Sequence, residues 1–201
     1  MCGITGCYDL SERRTTNESL LRRMNDAQFH RGPDEDGVHI EPGVALAHRR
    51  LSIIDLGNGR QPLYNEDATV VVVYNGEIYN FQALRAELQA AGHQFVTACD
   101  TEVIVHGWEE WGERCVDRFR GMFAFAIWDR KRETLFLARD RVGIKPLYYG
   151  QTRSGLFLFS SELKGLLVHP EIDRELDSEA VEDYFALGYV PDPRSIYRSI
   201  R

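Results

Sequence analysis

The chain contains no run approaching the roughly 18 apolar residues that a bilayer-spanning helix requires, and Met1 to Leu10 carries no basic segment followed by a long apolar one. Neither a membrane span nor a secretory leader is therefore expected, and a cytoplasmic setting is. Cysteine is scarce: Cys2, Cys7, Cys99 and Cys115 form no CxxC pair and show no zinc-type spacing with histidine. A disulfide framework is accordingly not expected. Basic residues are in deficit, 24 Lys and Arg against 31 Asp and Glu for a net charge of −7, which excludes bulk attraction to nucleic acid or an anionic membrane. His30, His39, His48, His93, His106 and His169 make no HExxH pattern, so no metal is expected, and neither GxGxxG nor GxxxxGK[ST] occurs. Internal repeats and low-complexity tracts are also missing.

What remains is an ordinary globular chain of 201 residues, 43% hydrophobic and 27% charged, long enough to bury a sizeable core without metals or disulfides. Ile4 to Tyr8, Val44 to Ala47, Leu51 to Ile54, Met122 to Trp128, Thr134 to Ala138 and Leu156 to Ser160 read as strands. The clearest is Thr69 to Tyr74, a β-branched run. Helical periodicity runs over Glu18 to Phe29 with Asn17 as N-cap, Phe81 to Ala91 closed by Gly92, Thr101 to Trp111 with Asp100 as cap, and Ser178 to Leu187 capped by Ser178. His30 to Gly37 reads as a loop, because its Gly and Pro interrupt either period. The spacing does not form regular βαβ units. It predicts an α+β fold of mixed or antiparallel sheets with helices on their outer faces. After Glu162 the character changes, and the sequence stops at Ile200-Arg201 without a closing turn, as expected of a segment of a longer protein.

Four positions could carry chemistry, and each has an ordinary structural reading beside it. Removal of Met1 would leave Cys2 with a free α-amine of reference pKa about 7.7–8.0 beside a thiol of about 8.5, so proton transfer between them is nearly thermoneutral. A terminal amine acting as base for its own side chain is one route to an activated nucleophile; the alternative is a small core residue. Asn75-Gly76 is a strong two-residue hairpin signal, yet an Asn amide and a Gly N–H can also converge on an oxyanion. Arg50 could grip a carboxylate bidentately or be a surface cation beside Arg49. Asp100 could receive an ammonium group or cap a helix. Spacing alone leaves these alternatives open.

Several separated motifs then fall in one order: Met-Cys-Gly-Ile at 1–4, His-Arg-Gly-Pro-Asp at 30–34, His-Arg-Arg-Leu-Ser-Ile-Ile-Asp at 48–55 and Gln-Pro-Leu-Tyr-Asn at 61–65. Tyr-Asn-Gly-Glu-Ile-Tyr-Asn at 74–80, Asp-Thr-Glu-Val at 100–103, Gly-Met-Phe-Ala-Phe-Ala at 121–126, Arg-Asp-Arg-Val-Gly-Ile-Lys-Pro-Leu-Tyr-Tyr at 139–149 and Ser-Glu-Leu-Lys at 161–164 continue it. In this the chain resembles the glutaminase domain of glutamine-hydrolysing asparagine synthetases, members of the class II (N-terminal nucleophile) amidotransferases. The tail from Asp173, with Asp-Tyr-Phe-Ala-Leu-Gly-Tyr-Val-Pro-Asp-Pro, looks like the branch associated with exosortase and exopolysaccharide gene clusters.

The resemblance implies a four-layer αββα sandwich of two mostly antiparallel sheets, with a glutaminase domain over 1–165 and an extension over 166–201 leading toward a synthetase domain. It implies Cys2 as nucleophile toward L-glutamine, Asn75 and Gly76 as the oxyanion hole, Arg50 with backbone groups of Leu51 and Ile53 for the substrate carboxylate, and Glu77 and Asp100 for its ammonium. Arg31 to Asp34 would support or close the pocket. No cofactor belongs to this segment; ATP and Mg would serve the synthetase domain, whose pyrophosphate loop lies outside residues 1–201. A homodimer is a further assembly left open. Two other functions compete: a class II transferase making glucosamine phosphate or phosphoribosylamine, and a non-catalytic domain retaining the fold.

Overall fold

The computed structural model describes residues 1–9, 11–52, 57 and 59–201. Among the described residues nine strands form two sheets, every pair antiparallel. The first, in spatial order β2-β3-β1-β9-β8, is built from β1 (Gly3–Asp9), β2 (Glu35–Glu41), β3 (Val44–Arg50), β8 (Tyr148–Gln151) and β9 (Leu156–Ser160). The second, β4-β5-β6-β7, comprises β4 (Leu63–Tyr64), β5 (Val70–Ile78), β6 (Gly121–Asp129) and β7 (Thr134–Arg139).

The period-2 alternation of the strands explains how the layers stack. In β5, Val71 and Val73 face the opposing sheet while Val70, Val72 and Tyr74 face outward; in β6, Ala124, Ala126 and Trp128 face in while Phe123, Phe125 and Ile127 face out. In β3, Val44 and Leu46 point to the inter-sheet core and Ala45 and Ala47 away from it. Because both faces are covered, these strands read as nearly continuous apolar runs.

Helices α2 (Phe81–Ala90), α3 (Glu102–Trp111) and the short α4 (Cys115–Arg118) cover the outer face of the second sheet, through Leu84, Leu88, Val103, Ile104 and Trp108. Helices α1 (Glu18–Asp26) and α5 (Leu163–Leu167) cover the first sheet, through Leu21, Met24 and Leu166. The result is the αββα sandwich, with three apolar cores between four layers. The sixth helix, α6 (Ser178–Leu187), follows in the tail. The tail returns to the edge of the first sheet, where Tyr149 and Arg201 exchange backbone hydrogen bonds of 2.8 Å and Ile172 and Ile200 are buried with Cys7 and Leu158. Among the described residues no helix is long and apolar enough to cross a membrane.

Several local expectations are corrected. Asn75-Gly76 is not a turn: β5 runs straight through it, pairing Asn75 with Ala124 and Gly76 with Phe123, and neither residue has a positive φ. The α1 helix ends at Asp26, followed by a 3₁₀ turn at Phe29–Arg31, and the segment expected as a loop contains the start of β2 at Glu35. That strand lies at the sheet edge, where acidic residues are tolerated and discourage edge pairing. β3 continues through His48-Arg49-Arg50 rather than breaking there. The expected strand Leu51 to Ile54 falls in coil at Leu51 and Ser52, and Ile53 and Ile54 lie outside the described residues. Asn17 does cap α1, accepting from Leu20 N at 3.1 Å, and Gly92 has φ +105° beyond α2. The cap of α6, however, is Asp177 rather than Ser178.

Candidate active site

Strand parity assembles one rim of the sandwich. In β3, His48 and Arg50 continue the inward-facing series of Val44 and Leu46; in β5, Asn75 and Glu77 continue that of Val71 and Val73. Cys2 precedes β1 on the same parity as inward-facing Ile4, and the β1–β3 register, Gly3 opposite Arg49, sets Cys2 beside Arg50. These residues surround a cavity of about 170 Å³ lined by Cys2, Arg50, Leu51, Asn75, Gly76, Glu77 and Asp100, the expected set apart from Ile53, which lies outside the described residues. Its remaining walls come from Met1, Gly59, Gln61, Tyr74, Cys99, Thr101, Met122 and Lys145.

The thiol is held by backbone. Leu51 N–H donates to Cys2 Sγ at 3.4 Å, and Sγ lies 3.7 Å from Leu51 O. Burial pushes the Cys2 thiol above its ordinary value, partly offset by that Leu51 contact. A thiol in this state needs a base before it can attack. With Met1 in place the terminal amine belongs to that residue and is held below its usual value, chiefly by burial, with Arg31 and Lys145 acting in the same sense; the candidate base, the α-amine of Cys2, is freed only by loss of Met1.

Behind the thiol, Arg31 donates from Nε to Cys2 O at 2.9 Å and from Nη1 to Glu162 Oε1 at 3.2 Å, and is itself 9% exposed. This accounts for the His-Arg-Gly-Pro-Asp motif physically. Gly32 passes so close to β3 that a Cβ would lie 2.4 Å from Arg49 O and 2.5 Å from Arg50 N. Asp34 N donates to Arg50 O at 3.1 Å, and its carboxylate accepts from Ser52 N at 2.8 Å. The 3₁₀ turn and loop thus brace the nucleophile and the Arg50 segment together.

Arg50 is 4% exposed, so it is not a surface cation; it donates from Nη1 to Glu35 Oε2 at 2.8 Å. Asp100 does not cap α3, whose N-cap residue is Thr101. Its Oδ2 instead accepts from Tyr74 Oη at 2.7 Å and from Ile78 N at 2.9 Å, and burial raises its pKa above the ordinary carboxylate value despite both bonds. The cavity therefore sets a guanidinium against two carboxylates, Glu77 and Asp100, a layout suited to a zwitterion.

Asn75 is 1% exposed and its Nδ2 is buried without a hydrogen-bond partner. An orphaned buried amide donor costs about 1–3 kcal/mol, so its presence at the cavity wall asks for an acceptor that arrives from outside. Gly76 follows with its backbone against β6: a Cβ there would lie 2.4 Å from Met122 O and 2.7 Å from Phe123 Cα. Gly76→Ala is expected to destabilise the fold by about 3 kcal/mol, the upper range for overpacking, lowering Tm by roughly 6–12 °C in a domain of this size. Thermal unfolding checks this; a Tm within a degree of wild type would show that β5 and β6 can part without cost.

Sequence reading passed over Gln61, Tyr74 and Lys145. Gln61 Oε1 accepts from Tyr74 N at 2.6 Å, fastening the segment before β4 to β5, and Tyr74 fixes Asp100. The motifs containing all three were visible, but nothing in their spacing showed which side chains turn toward the cavity. His48, 1% exposed, bridges the sheets through Nε2 to Tyr74 O at 3.0 Å, and burial depresses its pKa to about 3, leaving it a neutral structural donor.

The αββα sandwich is the fold of N-terminal nucleophile hydrolases. The fold is similar to that of glutamine phosphoribosylpyrophosphate amidotransferase from Bacillus subtilis, with a TM-score of 0.67 over 83% of this chain and 43% of that one, at 19% identity. The chain belongs to the glutamine amidotransferase domain family, which it matches over residues 1–201. It is 44% identical to asparagine synthetase [glutamine-hydrolyzing] 3 of Bacillus subtilis strain 168 over 100% of this chain and 33% of that protein. It is also 48% identical to asparagine synthetase [glutamine-hydrolyzing] 3 of Arabidopsis thaliana over 83% of this chain and 28% of that protein. The chain thus spans about a third of the length of the curated relatives it matches.

Proposed function

We propose that this chain hydrolyses L-glutamine to L-glutamate and ammonia, and that within a longer protein the ammonia supplies an ATP-dependent, Mg-assisted amidation of the asparagine-synthetase type, the acceptor being aspartate or a related carboxylate. The observation that carries the reading is the orphaned Asn75 Nδ2, buried on the same rim as the Cys2 thiol. Residues 1–165 form the glutaminase unit and 166–201 the lead-out toward the synthetase domain, anchored by Ile172 and Ile200 in the outer core.

The proposed steps are these. After loss of Met1, the α-amine of Cys2 takes the thiol proton and Sγ attacks the carboxamide carbon of glutamine. The carbonyl oxygen gains charge and is received by Asn75 Nδ2 and Gly76 N–H. Arg50 holds the substrate carboxylate, with the backbone at Leu51 beside it, while Glu77 and Asp100 hold the ammonium. The C–N bond breaks as the amine returns its proton to the leaving nitrogen, releasing ammonia. Water then cleaves the thioester, giving glutamate and restoring the thiol.

Assay of glutamate release with wild type and Asp100→Asn tests the substrate assignment. Loss of a charged hydrogen bond to the ammonium removes about 2–3 kcal/mol, so KM for glutamine should rise roughly 30–150-fold with kcat little changed. The pH dependence has a definite sign. Because burial raises the Asp100 pKa, wild-type KM climbs as pH falls, beginning above the ordinary carboxylate range, and the variant loses that dependence. Ionising Asp100 costs the fold stability above its raised pKa, a cost absent below the ordinary value, so Asp100→Asn at neutral pH keeps or gains Tm. An unchanged KM would remove Asp100 from the substrate site.

A further inference from the structure

On the outer layer, away from the Cys2 cavity, two histidines and four glutamates gather from three separated segments. Glu66 lies between β4 and β5, His93 follows α2, and Glu102, His106, Glu109 and Glu110 belong to α3. Glu66, His93 and His106 each offer a ligand atom within 4.8 Å of the others. His106 Nδ1 is 3.1 Å from Glu109 Oε2 and 3.8 Å from Glu66 Oε2, and His93 Nδ1 is 3.7 Å from the same Glu109 oxygen. A tetrahedral shell with ligands about 2.0 Å from the metal spaces neighbouring ligand atoms by about 3.3 Å; the separations of 3.1, 3.7 and 3.8 Å lie near that figure, and the wider ones would have to close on an ion.

We propose that Glu66, His93, His106 and Glu109 form a structural zinc site. A second, independent feature is the arrangement behind these four groups. Metal-bound histidines usually present their other ring nitrogen to a carboxylate. Here His93 Nε2 meets Glu110 Oε2 at 3.3 Å, and His106 Nε2 faces Glu102 Oε1 at 3.7 Å with no hydrogen-bond partner of its own. The carboxylates are oriented as well: Gln94 N donates to Glu66 Oε1 at 3.1 Å, and Asn65 Nδ2 to Glu109 Oε1 at 2.7 Å. Each Oε2 is thereby left to face the imidazoles.

Charge permits the same assignment without requiring it. Among the described residues none of these four glutamates pairs with a Lys or Arg, although most acidic side chains in ion pairs elsewhere in the molecule do. Despite burial, the carboxylates of Glu102, Glu109 and Glu66 raise the His106 pKa to about 9, so without a metal this ring is a cation among them; a divalent ion on two neutral imidazoles would supply the same two positive charges that two imidazoliums do. Imidazole ligands select zinc over magnesium or calcium, and four protein ligands make a closed, structural site. The ion would pin the β4–β5 turn and the segment after α2 to α3. No motif announces this group in the sequence, because its ligands come from distant positions and only His106 and Glu109 share a helix.

The test titrates ZnCl₂ into chelator-treated Cys2→Ala protein, so that the reactive thiol cannot compete, and reads binding by calorimetry and Tm. One zinc per chain is expected, with Tm rising roughly 5–10 °C at a hundredfold excess over Kd and an X-ray absorption edge showing nitrogen and oxygen but no sulfur. His93→Gln and Glu66→Gln, both at the solvent side of the cluster, should each weaken binding at least about a hundredfold, and Glu110→Gln by about 10–100-fold. No saturable binding, sulfur in the shell, or wild-type affinity in His93→Gln and Glu66→Gln variants that retain the wild-type circular dichroism would overturn the assignment.

Discussion

Cys2→Ala is expected to lower kcat for glutamine hydrolysis by roughly 10⁴–10⁶-fold, the scale seen when a covalent nucleophile is removed, while leaving glutamine binding close to wild type. The expectation has two structural supports. The thiol is held by neighbouring backbone, through Leu51 N–H at 3.4 Å, and Arg31 anchors the residue's carbonyl from behind. Alanine at this position keeps the Arg31 bond to the backbone carbonyl of residue 2 and removes only the Leu51 contact to sulfur. The same loss should follow when Met1 is retained, because the amine of Met1 stands one residue away from the thiol it would have to deprotonate. Residual turnover within tenfold of wild type in Cys2→Ala, measured as glutamate formed, would require another nucleophile, and Cys7, Cys99 and Cys115 are all buried with burial raising each thiol.

The second large effect is expected at Asn75. Its Nδ2 is preorganised in a buried position without a partner, so its hydrogen bond is available to an oxyanion that appears only during reaction. Asn75→Ala should therefore reduce kcat by about 10²–10³-fold, as loss of a single oxyanion donor does, with KM nearly unchanged. Asn75→Asp should be worse still, since it places an acceptor and a charge where a donor is needed. A rise in KM at constant kcat would instead make Asn75 a ground-state binding residue and shift the oxyanion role to Gly76 N–H alone.

Much of this site was legible from alternation and order. Once β1, β3 and β5 are recognised as strands, period 2 puts Cys2, Arg50, Asn75 and Glu77 on inward faces. Alternation cannot, however, say which strands are opposed. That information lies in the β1–β3 register and in the closing of the two sheets, which are long-range facts. The Asn75-Gly76 turn signal failed because local preference was overridden: Gly76 is needed for close approach to Met122 and Phe123, not for a left-handed turn. β4 and β8 went unseen because two and four residues are too few to show a period, and their pairing with β5 and β9 is what makes them strands. Asp100 read as a cap because acidic residues before helices usually are, and only the fold brings Tyr74 and Ile78 to it. Motif order pointed to the family, which the match to the glutamine amidotransferase domain family over residues 1–201 bears out.

The most direct test of the central claim is intact-mass and peptide-mapping analysis of untagged protein before and after incubation with a diazo-ketone analogue of glutamine, whose reactive carbon sits where the carboxamide would. The account predicts loss of Met1 and a single stoichiometric adduct on Cys2, blocked by excess L-glutamine. A processed N-terminal cysteine that stays unmodified, or an adduct on another residue, would contradict it.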